Sequence, residues 1–288
     1  MAELQASAGH PAGARAGDQA PSRAVRILFV GDIVGGLGRS TLLDCLPIAR
    51  ERWAPTFVIV NGENAAGGLG ITPKNADQMF AAGVDAITLG NHAYRRSEIY
   101  AYLENHERII RPANYLRSQP GRGVCVLERD GIRLGVVNIS GNVFLRAGRS
   151  AFTEIEVALG ELADVDHILV DVHAEATSEK VAMGWHLDGR VSAVVGTHTH
   201  VPTADARVLP GGTAYITDVG MTGPRGGVIG VKREQAIESL LTQMPVRFET
   251  SEEDPWMMAV LISCSAPLRA DSIEQLLMPR PPEAVRGR

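Results

Sequence analysis

The chain has 288 residues with a formal net charge of −5, and 45% of its residues are hydrophobic. This is enough apolar material for the core of one large α/β domain or two small ones, whereas the acidic balance argues against a general binder of nucleic acids or anionic membranes. The three cysteines lie far apart, which indicates reduced thiols in a cytoplasmic protein rather than a disulfide framework.

The two ends of the chain differ in composition from its middle. Residues 1–24 are rich in Ala and Gly and lack hydrophobic periodicity, so we expect a disordered N-terminal extension. One domain is expected over 25–268, followed by a C-terminal tail at 269–288 that should fray because it contains several prolines. No apolar run approaches the roughly 20 residues that span a bilayer, and we therefore expect no membrane partner.

Apolar runs alternate with amphipathic segments from Val25 onward. The runs predict strands at 25–30, 56–60 and 86–89, and the segments that follow them predict helices at 39–53, 73–82 and 96–105. Strands that alternate with helices in this way are typical of parallel pairing with right-handed crossovers.

The middle of the chain first interrupts and then resumes this alternation. Two apolar runs within 124–139 flank Asp130-Gly131, and this dipeptide predicts a hairpin turn between them. A helix at 155–163 and strands at 168–172 and 193–195 follow.

The pattern after Pro202 is mostly β. It predicts one helix at 233–244 and strands at 206–209, 213–217, 246–249 and 256–263. Together the elements predict a single domain of mixed α/β class with two sheets packed together.

Side chains that can bind metal ions follow five of the predicted strands. Each lies within three residues of a strand end: Asp32, Glu63, Asn91, His173 and His198. Because ligands of open α/β sheets gather beyond the carboxyl ends of the strands, we expect these side chains to meet. The four histidines near this edge favour a transition metal over calcium or magnesium. Two such cations can share a hydroxide and stabilise the attacking and leaving oxygens of a phosphoryl group.

Each residue also has a simpler interpretation. A histidine at a strand end, such as His173, is often a hydrogen-bonded structural residue, and Asp32 and Asn64 could cap helices. The pair His198 and His200 is harder to explain structurally, because alternate residues of an extended chain point the same way.

Other polar positions carry weaker signals. The glycine-rich segment 35–40 lacks the Gly-Lys-Ser/Thr ending of a phosphate-binding loop and is interpreted as a turn before a helix. Four residues could border a cleft or simply lie in exposed loops: Thr72, Asn114, Tyr115 and Arg146.

The motifs resemble those of the calcineurin-like metallophosphoesterases, and more closely those of the YmdB-like branch. The segments that carry the resemblance are 27–35 (ILFVGDIVG), 61–66 (NGENAA), 171–180 (DVHAEATSEK), 195–201 (VGTHTHV) and 215–224 (YITDVGMTGP). The resemblance covers about residues 25–265. It implies a four-layer αββα fold, in which two mixed sheets pack as a sandwich flanked by helices.

The resemblance also implies a role for each candidate residue. Asp32 and His200 would bind a first metal ion, Glu63 would bridge, and a second ion would be bound by Asn91, His173 and His198. Asn64 would contact a metal ion or the phosphate. His92 would protonate the leaving oxygen as a general acid, with orientation of a neighbouring group as the alternative.

Two departures from the wider superfamily are typical of the YmdB-like branch. The Asp-X-His motif reads Asp32-Ile33-Val34, and Glu63 stands where a bridging Asp is usual. The resemblance implies two transition metal ions, iron in the first place, with manganese as a substitute.

The implied activity is hydrolysis of small phosphodiesters, including 2′,3′-cyclic and 3′,5′-cyclic nucleotides, by a hydroxide that bridges the metals. One alternative is a phosphomonoesterase or a ribonuclease that uses the same site. Another is a regulatory protein that retains the metal site, but the complete ligand set argues against it. We expect a small nucleotide substrate and no stable binding of nucleic acid, and the oligomeric state is open, a homo-oligomer included.

Overall fold

The computed structural model describes residues 24–282. Apart from Ala24, the predicted N-terminal extension lies outside the described residues, as does the end of the predicted tail.

The first half of the described chain alternates strands and helices as predicted. Its elements are β1 (Val25–Val30), β2 (Asp32–Ile33), α1 (Gly35–Trp53), β3 (Phe57–Asn61), α2 (Pro73–Ala81), β4 (Ala86–Thr88), α3 (Tyr100–Asn105) and β5 (Ile109–Ile110). Local capping explains the start of α2, because Thr72 accepts a hydrogen bond from the backbone of Asn75 and Pro73 stands at the first helical position.

The second half begins with the predicted hairpin. Its elements are β6 (Val124–Arg129), β7 (Ile132–Ser140), α4 (Ala151–Gly160), β8 (His167–His173), α5 (Thr177–Leu187), β9 (Ala193–Thr197), β10 (Arg207–Val208), β11 (Ala214–Ile216), β12 (Met221–Pro224), α6 (Arg233–Thr242), β13 (Pro255–Cys264) and β14 (Ser272–Pro279). The hairpin turn at Asp130-Gly131 has positive φ at both residues, which is the geometry that this dipeptide favours.

The strands form two mixed sheets. The first has eight strands in the order β2-β12-β13-β1-β3-β4-β5, with β14 paired to β13. Its centre is β1, which pairs in parallel with β3 and antiparallel with β13. The second has six strands in the order β10-β11-β9-β8-β7-β6, and its four inner strands run parallel.

The core shows that the two sheets pack face to face. Alternate residues of β1 divide between two clusters: Phe29 packs with Leu169 and Val195 of the second sheet, whereas Leu28 packs with Leu42 of α1. A third cluster joins α4 and α5 to the outer face of the second sheet. The predicted fold class, a two-sheet sandwich flanked by helices, is therefore confirmed.

Three predictions about the elements are wrong. The segment 35–40 forms the first turn of α1 instead of a turn before it. Residues 246–249 form no strand; Thr250 makes only an isolated bridge to Val231. The segment that was predicted to fray after 269 contains β14, which pairs with β13 along eight residues and buries Leu276. This segment is ordered by backbone pairing with a strand that precedes it in the chain, and local composition does not reveal such pairing.

None of the helices within residues 24–282 has both the length and the apolar character needed to cross a bilayer. The three cysteines are buried and unpaired.

Candidate metal centre

The carboxyl ends of strands from both sheets meet at one edge of the sandwich. The first sheet brings Asp32, Glu63, Asn64, Asn91 and His92 there at the ends of β1, β3 and β4, and the second sheet brings His173, His198 and His200 at the ends of β8 and β9. Contacts link all eight predicted residues into one group.

The tightest part of this group surrounds Nε2 of His173. Oδ1 of Asn91 lies 2.9 Å from this nitrogen, Oε1 of Glu63 lies 3.1 Å away, and Nδ1 of His198 lies 3.1 Å away. Glu63, His173 and His198 satisfy the spacing of a three-ligand metal site. The side chains of Glu63 and His173 are fully buried.

Hydrogen bonds on the far side of each imidazole decide which nitrogen faces this point. Nδ1 of His173 lies 2.9 Å from the hydroxyl of Thr197, which donates its own hydrogen to Asp171 over 2.7 Å. Thr197 must therefore accept from Nδ1 of His173, and Nε2 is left with a lone pair. Nε2 of His198 donates to Glu175 over 2.9 Å and leaves Nδ1 with a lone pair. Partners of this kind orient the imidazole ligands of metal ions in proteins.

Four acceptor atoms thus converge with no hydrogen of their own between them. Such an arrangement is repulsive unless a proton or a cation stands among the lone pairs. Carboxylate, amide oxygen and two imidazoles are also a donor set that suits first-row transition metals. The residues present therefore fit a metal ion.

Without a cation, a proton on His173 relieves the repulsion. Burial alone would lower the pKa of His173, but the charge of Glu63 and its hydrogen bond outweigh burial and raise the pKa to about 9. Burial likewise opposes ionisation of Glu63, yet the charge of His173 holds the pKa of Glu63 well below its usual value. His198 stays neutral, because burial and the neighbouring His173 lower its pKa to about 3.

A second set of acceptors lies around Asp32. Its Oδ2 accepts a hydrogen bond from the backbone of His198 over 3.1 Å, whereas its buried Oδ1 has no hydrogen-bond partner among the described residues. Nε2 of His200 lies 3.8 Å from this oxygen, and Nδ1 of His200 donates to the carbonyl of Ile229. Burial raises the pKa of Asp32, and a cation beside Oδ1 would offset that effect.

Asn64 connects these two sets with His92. Its Nδ2 lies 3.1 Å from Nε2 of His200 and 3.3 Å from Oε1 of Glu63, while its Oδ1 lies 2.7 Å from Nδ1 of His92. Because Oδ1 only accepts, Nδ1 of His92 carries the hydrogen and Nε2 remains for a substrate. The backbone N–H of His92 donates to Oε2 of Glu63, which fixes the residue beside the centre.

The conformation of the histidine pair differs from the prediction. His198 and His200 have φ values of 96° and 65°, so the segment is not extended, and alternation along a strand is the wrong reason for their common direction. Positive φ is unfavourable for residues other than glycine by about 1–3 kcal/mol each and persists where surrounding contacts hold it.

Those contacts come from Asp218, a residue to which we assigned no role from the sequence. It accepts hydrogen bonds from the backbone and the hydroxyl of Thr199, from the backbone of Gly220 and from the ammonium of Lys180. Lys180 and Asp218 form an ion pair of 2.7 Å that is almost completely buried. The signal in the sequence was that both residues belong to segments that carry the family resemblance, 171–180 and 215–224.

Asp171 is a second residue that the sequence analysis left without a role. This buried carboxylate accepts hydrogen bonds from Thr197, Thr88 and Asn61. Burial raises the pKa of Asp171 to about 6, although the charge of His173 opposes this change. Asp171 thus orients His173 through Thr197 without reaching the centre itself.

Of the four polar residues with weaker signals, two have structural roles and two line a cleft. Thr72 caps α2, and the side-chain amide of Asn114 bonds to the backbone of Ser140 and Arg149. Tyr115 and Arg146 line a cleft beside Asn91.

Comparisons with known proteins agree on one family. A family model described as YmdB-like protein matches residues 28–276. The 2′,3′-cyclic-nucleotide 2′-phosphodiesterase of Bacillus subtilis (strain 168) is 44% identical over 256 residues, which cover 88% of this chain and 97% of that protein.

Two solved structures share the fold over nearly their whole length. A hypothetical protein from Thermus thermophilus has a TM-score of 0.84 at 40% identity, with 89% of this chain and 100% of that chain covered. A protein from Mycoplasma pneumoniae described as a novel phosphatase has a TM-score of 0.84 at 32% identity, with 92% of this chain and 96% of that chain covered.

Gly90 allows a test of the centre that changes no ligand. A Cβ atom at this position would collide with the imidazole of His173 and with Oε2 of Glu63. We expect Gly90→Ala to fold but to bind Mn²⁺ roughly 10–100-fold more weakly, the effect typical of disturbed ligand orientation, as measured by calorimetry. Gly160→Ala is the control, because a Cβ there meets no atom within 4 Å. Equal Mn²⁺ affinity of the two variants would contradict the assignment of the centre.

The proton on His173 predicts how metal binding depends on pH. Since the pKa of His173 is raised to about 9, a cation must displace this proton at any lower pH. Affinity for Mn²⁺ should therefore rise with pH, by about tenfold per unit for one proton released. Calorimetry at pH 7 and 8 in buffers of different ionisation enthalpy measures the release directly. An affinity independent of pH, with no proton released, would show that His173 is not displaced.

Proposed function

The chain belongs to the YmdB-like protein family and is a phosphoesterase, and we propose that it is a dinuclear metal-dependent phosphodiesterase of small cyclic nucleotides. The observation that carries the proposal is the convergence of lone pairs from Glu63, Asn91, His173 and His198, with His92 held at its side. The 2′,3′-cyclic diester is the first candidate substrate, on the strength of the relative from B. subtilis. The 3′,5′-cyclic diester is the second.

In this proposal the two sets of acceptors bind one cation each. Asn91, His173 and His198 would hold one, Asp32 and His200 would hold the other, and Glu63 would contribute to both. Asn64 contacts a cation or the phosphate. The distances around Nε2 of His173 and the unpartnered Oδ1 of Asp32 support this division.

The donor set favours iron, with manganese as a substitute. Imidazole nitrogen combined with carboxylate and amide oxygen suits Mn²⁺ and Fe²⁺, whereas calcium and magnesium prefer oxygen alone. Cations in such a pair polarise a phosphoryl group and make a water molecule more acidic.

His92 supplies the proton that the leaving group needs. As water adds to phosphorus and gives up a proton, the bond from phosphorus to one ribose oxygen breaks. That oxygen gains a proton from Nε2–H of His92, and the proton released by the water restores the acid. Nε2 of His92 is the ring nitrogen left available, because Nδ1 is engaged by Asn64. Glu63 and Asn64 fix the ring in place, so that the same residues that surround the centre also position the acid.

The charge and the cysteines of the chain are consistent with a small substrate in a reducing compartment. With a net charge of −5 we propose no stable binding of nucleic acid and no membrane partner. The buried, unpaired cysteines support a reducing, cytoplasmic location.

Substitution of His92 separates its role from metal binding. We expect His92→Ala to retain wild-type metal content but to lower kcat for 2′,3′-cyclic AMP roughly 10²–10⁴-fold, the usual contribution of a general acid. Asp32→Ala should lose metal and activity together. His106→Ala is the matched control, since this exposed histidine stacks on Tyr102 away from the centre.

Steady-state rates and metal content of all four proteins, measured with Mn²⁺, decide the matter. If the wild type is no faster than Asp32→Ala, the enzymatic proposal fails. If His92→Ala loses its metal, the assignment of His92 as the acid fails. If a nucleoside 3′-monophosphate is hydrolysed as fast as the cyclic diester, the diesterase assignment fails.

A further inference from the structure

A cleft of about 360 Å³ opens directly beside the candidate metal centre. The residues that line it and matter for its chemistry are Asn91, Tyr94, Tyr115, Leu116, Gln119 and Arg146. The volume lies at the lower end of the range found for small-molecule sites, which is roughly 300–1,000 Å³. It is large enough for one heterocycle with its sugar, and too small for a stretch of polynucleotide.

The cleft and the centre share a wall. Asn91 lines the cleft, and its Oδ1 lies 2.9 Å from Nε2 of His173. Tyr115, on the cleft side, donates a hydrogen bond from its hydroxyl to the carbonyl of Gly90, the residue that packs against His173 and Glu63. A phosphate ester held at the centre therefore has this cleft as a place for the group attached to it.

Two tyrosine rings give the cleft an aromatic wall. The ring centroids of Tyr94 and Tyr115 lie 6.0 Å apart with the planes inclined by 34°. Their hydroxyls are tied to backbone carbonyls, that of Tyr94 to Pro120 over 2.7 Å and that of Tyr115 to Gly90. Tyr115 is only 7% exposed and backs the partly exposed ring of Tyr94. The ring of Tyr94 is thus fixed before any ligand arrives, and it is the platform on which a flat heterocycle can stack.

Two polar side chains of the cleft, Gln119 and Arg146, present hydrogen-bond donors. Gln119 uses its Oε1 to accept from the backbone of Leu116, which leaves its Nε2 amide free to donate. The guanidinium of Arg146 is exposed and makes no hydrogen bond or ion pair with the residues of 24–282. Within that same range no carboxylate lines the cleft. Aromatic faces with nearby donors suit a ring that carries nitrogen and carbonyl acceptors.

A larger cavity, of about 1000 Å³, does not compete for this role. It is lined by Val25, Ile132 and His167, which begin β1, β7 and β8, so it lies at the opposite edge of the sheets from the metal centre. Two of its arginines are already engaged, Arg26 with a backbone carbonyl and Arg129 with Asp85.

We propose that the cleft formed by Tyr94, Tyr115, Leu116, Gln119 and Arg146 is the nucleobase subsite, and that it makes the enzyme selective for nucleotides over other cyclic diesters. This inference rests on the proposed phosphodiesterase function. The base stacks on Tyr94, which Tyr115 supports from behind, and Gln119 and Arg146 donate to its acceptors. The cyclic phosphate then lies past Asn91, at the metal centre beside His92.

The test compares two substrates that differ only in the base. One is 2′,3′-cyclic AMP, and the other is methyl β-D-ribofuranoside 2,3-cyclic phosphate, in which a methoxy group replaces adenine. We expect the wild type to have a kcat/KM at least about tenfold higher for the nucleotide, the effect of one base stacking on an aromatic residue. Tyr94→Leu and Arg146→Ala should lower this ratio severalfold, chiefly by raising KM for the nucleotide.

Arg117→Ala is the matched control, because Arg117 lies next to the same loop but pairs with Glu154 and does not line the cleft. It should keep the wild-type ratio. A second measurement does not depend on turnover: saturation-transfer NMR with adenosine 3′-phosphate should show contact of the adenine protons with the wild type and with Arg117→Ala, and reduced contact with Tyr94→Leu.

The outcomes distinguish this inference from the function on which it rests. If the wild type hydrolyses both diesters with equal kcat/KM, the nucleobase subsite is refuted and the phosphodiesterase stands. If Tyr94→Leu and Arg146→Ala both keep the wild-type ratio, the subsite is refuted as well. If neither diester is hydrolysed by the metal-loaded wild type, the proposed function itself fails.

Discussion

The structure depends on one unfavourable interaction, the crowding of lone pairs around Nε2 of His173. An amide oxygen, a carboxylate oxygen and a second imidazole nitrogen lie about 3 Å from this atom, in a buried part of the protein. Atoms of this kind repel one another at low dielectric, and only a positive charge among them makes the electrostatic energy of the group favourable. A fold that holds them there must gain stability elsewhere. A cation bound among these atoms would relieve the repulsion, and its binding would therefore be favoured.

Two buried networks supply that stability. On one side, Asp171 accepts hydrogen bonds from Thr197, Thr88 and Asn61, and the hydroxyl of Thr197 in turn accepts from Nδ1 of His173. The orientation of the His173 ring therefore depends on Asp171, which does not reach the centre. On the other side, the ion pair of Lys180 and Asp218 holds the backbone between β9 and β11 in a conformation that histidine rarely adopts. A buried ion pair stabilises only when its remaining hydrogen bonds are made, and Asp218 makes them with Thr199 and Gly220. The carboxylates of these networks have their hydrogen-bond partners, whereas Oδ1 of Asp32 at the centre is buried and has none among the described residues. An unpartnered buried acceptor of this kind favours a binding site over a structural core.

The placement of the site could be predicted from the sequence because it follows from topology alone. Asp32, Glu63 and Asn91 end parallel strands of one sheet, and parallel strands release their chains at one edge. The meeting of that edge with His173 was also expected from the strand ends, but the local pattern did not show that His173 comes from a different sheet, whose face packs against the first. The sequence analysis also gave the wrong reason for the common direction of His198 and His200. Their backbone conformation depends on hydrogen bonds to Asp218, which is distant along the chain. Pairing between β13 and β14 was missed because Pro279 and its neighbours suggest a frayed tail when they are considered without their partner strand.

We propose that the crowded acceptors hold two cations. The most direct measurement is anomalous diffraction at the manganese edge from crystals of the protein grown with Mn²⁺. We expect two anomalous peaks, one within bonding distance of Asn91, His173 and His198 and the other within bonding distance of Asp32 and His200, with Glu63 reaching both. A map with no anomalous density among these side chains, at a Mn²⁺ concentration that supports hydrolysis, would contradict it.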